Sequence, residues 1–125
     1  MTTRTTIPDP IPEKSTRAYT CTLVDHATQE AIPRTNVTSI KLWLTGPTGT
    51  INSRSGQALT LVNVLHATSG LFTFTLTPDD NPIQGSLHAN RLESHILLFQ
   101  VIYVGGEEWH EVELFVENLS GVPPV

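Results

Sequence analysis

The side chains of this chain most able to hold a metal or move a proton are five histidines, His26, His66, His88, His95 and His110. None stands in the H-E-x-x-H spacing that sets two imidazoles on one helical face. The nearest grouping is His110-Glu111-Val112-Glu113. On a strand these neighbours alternate, so His110 and Val112 share one face and the two glutamates the other. Polar positions on solvent faces and strand ends account for the histidines, and no metal ligand is assigned. A metal-dependent hydrolase drawing on them stays as an alternative that metal analysis would decide. Asp79-Asp80-Asn81 offers oxygen ligands for Ca²⁺, yet Pro78 and Pro82 frame a turn that needs no ion. Cys21, between Tyr19 and Leu23 on the apolar face of a strand, reads as a buried, inert thiol. No G-x-S-x-G elbow occurs, and Gly46, Gly49, Gly56 and Gly70 are spread over turns, with no cluster ahead of a helix. The expectation is therefore no catalytic residue, no cofactor and no enzyme. Trp43 and Trp109 read as outward-facing tryptophans, suited to a subunit interface. A carbohydrate- or surface-binding module using the same two is the alternative.

The elements that must position these residues follow from an apolar period of two and a composition rich in Thr, Val, Leu and aromatics. Strands are expected near 18–24, 37–45, 57–66 and 71–77. In the first, Tyr19, Cys21 and Leu23 face one way; in the fourth, Phe72, Phe74 and Leu76 alternate with threonines. A connection to about 93 carries a helical turn around Ser86–Leu92. The strongest signal is a hairpin over 95–117 flanking Gly105-Gly106, whose first strand is apolar on both faces. Such a strand is central in a sandwich or covered from outside the domain. The pattern predicts an all-β, antiparallel immunoglobulin-like β-sandwich of about 6–8 strands, with a small closed barrel second. Its expected core is Tyr19, Leu23, Leu42, Leu44, Phe72, Phe74, Leu76, Leu98, Val112, Leu114 and Val116.

Length and charge bound the rest. At 125 residues there is one domain, and 38% hydrophobic with 15% charged residues describes a folded chain. The net charge of -5 is uneven: 1–54 holds six of seven basic residues, while 55–125 sets Arg91 against eight acids. That distribution leaves no basic footprint for nucleic acid in the folded half. One cysteine excludes an internal disulfide and suits a reducing compartment. No apolar run reaches a membrane span and no signal-peptide core opens the chain, so a soluble protein made inside the cell, with no membrane partner, is expected. Residues 1–17 carry Pro8, Pro10 and Pro12 and read as an extended arm able to reach on the order of 50 Å from its own domain. The domain is placed at 18–119 and a C-terminal tail at 120–125.

Several strand-end motifs carry a resemblance: the strand ending in Asp25, Thr50-Ile51-Asn52, Ser69-Gly70-Leu71-Phe72, the Thr77-Pro78-Asp79-Asp80-Asn81 turn, Glu93-Ser94-His95 and Val116-Glu117-Asn118-Leu119. In these the chain resembles the small immunoglobulin-like virion proteins of tailed bacteriophages. The resemblance implies a structural subunit of the particle, either a capsid decoration (cement) protein or a neck, tail or baseplate adaptor. It would act without cofactor as a homo-oligomer bound to other capsid or tail proteins, in the virion, after assembly in the host bacterial cytoplasm. The interface residues expected on this reading are Ile7, Pro8, Pro10, Ile11, Pro12, Trp43 and Trp109. Ile7 and Ile11 would seat the arm in an apolar groove of a neighbour.

Overall fold

A computed structural model of the chain describes residues 2–84 and 92–117. Among the described residues ten strands form: β1 Thr2–Thr6, β2 Ile11–Pro12, β3 Arg17–Thr22, β4 Val24–Asp25, β5 Glu30–Ala31, β6 Val37–Gly46, β7 Gly49–Ala58, β8 Leu71–Leu76, β9 Leu92–Tyr103 and β10 Gly106–Glu117. The large sheet has the order β1-β10-β9-β6-β7, with β2 also on β10, and it faces the two-stranded sheet β3-β8. β10, β9, β6 and β7 thus form one run of antiparallel neighbours, and β3 and β8 a separate antiparallel pair. The fold is an all-β sandwich. The alternation of apolar side chains decides the facing: Leu42, Leu44, Leu97, Phe99, Val101, Val112 and Leu114 point into the core from the large sheet. Phe99 joins the layers. Its ring lies 5.8 Å from Tyr19, 4.8 Å from Phe72 and 5.9 Å from Phe74, stacked on the first and edge-on to the others.

Three expectations change. The strand near 57–66 lies earlier, at β7, and Leu61–Val64 forms a single helical turn, α1, instead. β7 is an edge strand with one buried apolar side chain, Ile51, so it shows no apolar alternation. It owes its form to pairing with β6, interrupted by a bulge where Asn52 and Ser53 take positive φ of 53° and 55°. Leu98, expected in the core, sits on the outer face, because the inward set of β9 is His95, Leu97, Phe99, Val101 and Tyr103. The strand is apolar on both sides, and composition alone does not choose between Leu97 and Leu98.

The third change is the arm. β1 pairs in parallel with β10, from Thr2 opposite Trp109 to Thr6 opposite Glu113, and β2 continues along it with Ile11 opposite Val116. Residues 2–12 are extended, but they are laid along their own domain. Ile11 is fully buried in the chain's own core and Ile7 packs against it, so neither is free to fill a neighbour's groove in this arrangement. The groove nearest to these isoleucines is the open edge of β10, and covering it satisfies that strand's backbone groups. Pro8 is exposed, Pro10 and Pro12 half-buried, and Pro12, lacking an N–H, sits where an edge strand tolerates it. Most of the helical turn expected around Ser86–Leu92, His88 and the 120–125 tail lie outside the described residues.

Candidate functional site

The outer face of the large sheet is built by the residues that alternate with the core set. Across β6, β9 and β10 the outer rows run Ser39–Ile102–Glu107, Lys41–Gln100–Trp109, Trp43–Leu98–Glu111 and Thr45–Ile96–Glu113. Trp43 on β6 and Trp109 on β10 flank β9, and their indoles meet with centroids 5.5 Å apart, tilted by 35°. Trp43 also lies against Gly56 of β7, where an added Cβ would stand 3.5 Å from the indole. Ile96, Leu98, Ile102 and Phe115 complete an apolar band, each half-buried. Charges ring it. Arg4 Nε is 3.1 Å from Glu111, Gln100 donates to Glu107 at 2.7 Å, and Ser94 donates to Glu113 at 3.0 Å. The two expected tryptophans are therefore brought together, whereas the arm residues Ile7 to Pro12 run along the edge of β10, outside this band.

A second grouping lies at the β10 edge on the inner side. Glu108, 3% exposed, receives His26 Nε2 at 2.8 Å, with His110 Nε2 3.7 Å from the same oxygen. His110 Nδ1 shares a hydrogen bond of 2.7 Å with the Thr3 hydroxyl. The network ties β1, the β4–β5 hairpin and β10 together. Gly105 makes room for it, since a Cβ there would stand 2.9 Å from the Asp25 carboxylate. Burial is the main force lowering the His110 pKa, and His26 lowers it further, while Glu108 works the other way. Burial raises the Cys21 thiol, against a hydrogen bond with Tyr19 that lowers it, and Glu108 adds to the rise. The thiol, expected to be buried, is half-buried, and its raised pKa keeps it protonated at neutral pH. Glu108 had a readable signal, because alternation carried back from Val112 through His110 reaches it.

The remaining candidates separate. His95 is fully buried with Nε2 2.7 Å from Glu93, and His66 is exposed, holding the Thr68 and Ser69 amides in a turn. Asp80 is fully buried beneath Arg54, whose Nε and Nη2 reach its two oxygens at 2.5 and 3.0 Å. It also accepts from Asn52 at 2.8 Å and from the Thr77 amide at 2.7 Å. The Pro78-Asp79-Asp80 turn is thus held by an arginine. Burial pushes the Asp80 carboxyl up, but the bonds from Arg54, Asn52 and Thr77 outweigh it and leave the pKa lowered. Nothing in the local sequence pairs Arg54 with Asp80. Among the described residues no three His, Cys, Asp or Glu side chains are placed to hold a metal ion, and no helix is long and apolar enough to cross a membrane. Compared with known proteins, the chain matches no family model, no curated protein and no solved structure.

Proposed function

We propose that the chain is a non-enzymatic assembly subunit that docks a second copy of itself through the outer face of the large sheet. The observation that carries this reading is the apolar outer side of β9, where Leu98 lies beside Trp43 of the Trp43–Trp109 pair and Ile96 and Ile102 extend the band to either side, with Phe115 on β10. An interior strand that needs only one apolar face to build its core has two. The rim bears both signs, Arg4 and Lys41 against Glu107, Glu111 and Glu113, so a two-fold arrangement can set basic positions of one copy against acidic positions of the other. Paired aromatics within a polar rim are the composition of an interface centre. The scaffold that such subunits would decorate is, on the resemblance of the strand-end motifs, the capsid or tail of a phage particle, and flanking capsid, portal or tail genes would support that setting.

Light scattering across a concentration series tests the self-association. The full chain should form dimers or larger species, and Leu98→Ser should shift it to monomer with the fold intact by circular dichroism. An unchanged size distribution in Leu98→Ser would remove this face as the interface. The same indole pair could carry the sugar-binding alternative, for which glycan-array binding abolished in Trp43→Ala is the discriminating result.

A further inference from the structure

β1 is held to its own domain by few interactions. Arg4, Thr5 and Thr6 are exposed, Thr3 is half-buried, and none brings an apolar side chain to the core. On its inner side the strand meets a cleft of about 220 Å³, lined by Thr3, Thr5, Cys21, His26, Glu108 and His110, where packed side chains would otherwise lie. What fastens it is the parallel ladder to β10, the Arg4–Glu111 pair, the Thr3–His110 bond and a long bond of 3.4 Å from the Thr6 hydroxyl to Glu113. Beyond it the chain changes character, since Ile11 is fully buried and anchors β2. Between the two, five steps from Thr6 to Ile11 run beside only three from Glu113 to Val116, so the ladder is broken by a bulge at Ile7-Pro8-Asp9-Pro10. Ile7 N–H still donates to the Glu113 carbonyl at 3.0 Å, while Pro8 and Pro10 restrict the bulge and contribute no donors of their own.

We propose that residues 2–6 exchange between two copies of the chain, each β1 completing the β10 edge of the other, with Ile11 as the pivot. A strand that leaves β10 uncovers a row of backbone groups that another strand will take up, and the identical strand of a second copy rebuilds the same ladder. The exchanged and unexchanged forms therefore have equal numbers of hydrogen bonds at this edge, and concentration decides the balance between them. The edge adjoins the apolar outer face, whose Trp109 and Phe115 belong to the same β10, so two copies docked by that face about a two-fold axis across the strands would hold their first strands near one another's edges. The inference rests on the reading that copies of the chain associate.

Cross-linking of full-length protein tests it. In a Cys21→Ser background, Arg4→Cys and Glu111→Cys are made in separate chains, mixed, incubated at high concentration and oxidised. Residues 4 and 111 are register partners, the first exposed and the second half-buried. Exchange predicts a band at twice the chain mass, with a 4-to-111 linkage found by peptide mass spectrometry. If light scattering shows dimers while 4-to-111 linkage forms only within single chains carrying both substitutions, exchange is overturned and the association reading stands. Linked dimers that persist in Leu98→Ser protein would uphold exchange and remove the outer face as the interface. Monomers at every concentration, without linkage between chains, would overturn both.

Discussion

Glu108 Oε1 on β10 lies 2.8 Å from His26 Nε2, on the loop between β4 and β5, and this contact pins that hairpin to the edge of the large sheet. The carboxylate is almost wholly removed from water, so its partners decide whether its burial costs or stabilises.

Glu108→Ala should therefore destabilise the fold by about 1–3 kcal/mol, since it strands His26 and His110 beside a new void. Glu108→Gln, which keeps the shape and a hydrogen-bonding amide, should cost less. Urea midpoints of the two variants check the order, and equal midpoints would refute it.

His110 gives stability a dependence on pH in a defined window. Its folded pKa lies below the ordinary 6.5, so below that value the unfolded chain binds a proton that the folded one refuses. Stability is full above pH 6.5 and falls as the pH drops from there toward the lowered pKa. His110→Gln should flatten this limb in urea titrations at several pH values.

Asp80 acts lower down. Its folded pKa is depressed below the ordinary 3.8, so the stability it contributes is complete above that value and lost as the pH falls through the folded pKa. Arg54→Ala removes the guanidinium from a fully buried carboxylate and should cost about 3–5 kcal/mol. It should also shift acid unfolding to higher pH, followed by circular dichroism. An acid transition left in place would show that Arg54 is not what stabilises the Asp80 charge.

Leu97 and Leu98 are neighbours with opposite fates. Leu97→Ala should lower stability by about 2–5 kcal/mol, as a buried leucine does when its cavity cannot collapse. Leu98→Ala should change it by less than about 1.5 kcal/mol and act on self-association instead. Chemical denaturation beside light scattering separates the two.

Ile11→Ala and deletion of residues 2–6 make a similar contrast. The first opens the core and should cost about 2–5 kcal/mol, whereas the second removes an edge strand with no buried apolar side chain and should leave a folded domain. Thermal unfolding of both variants checks this. A deletion that unfolds the protein would show that β1 is structural.

Residue order along the chain was enough to specify the class of fold and its main strands. Alternation at Phe72, Phe74 and Leu76 and at Val112, Leu114 and Val116 is a local property that survives any arrangement of the sheets, because side chains on a strand change face at every residue. The long hairpin was legible for the same reason. Packing of the sheets and loops on one another settled what alternation does not encode. β7 is a strand because β6 pairs with it, the arm lies at home because β10 has an edge to cover, and Leu98 faces outward because β9 could have turned either side to the core. Arg54 and Asp80, or His26 and Glu108, are far apart in the chain and meet only where two loops are folded against the sheets. Such pairs are set by long-range packing, to which no short window of residue types has access.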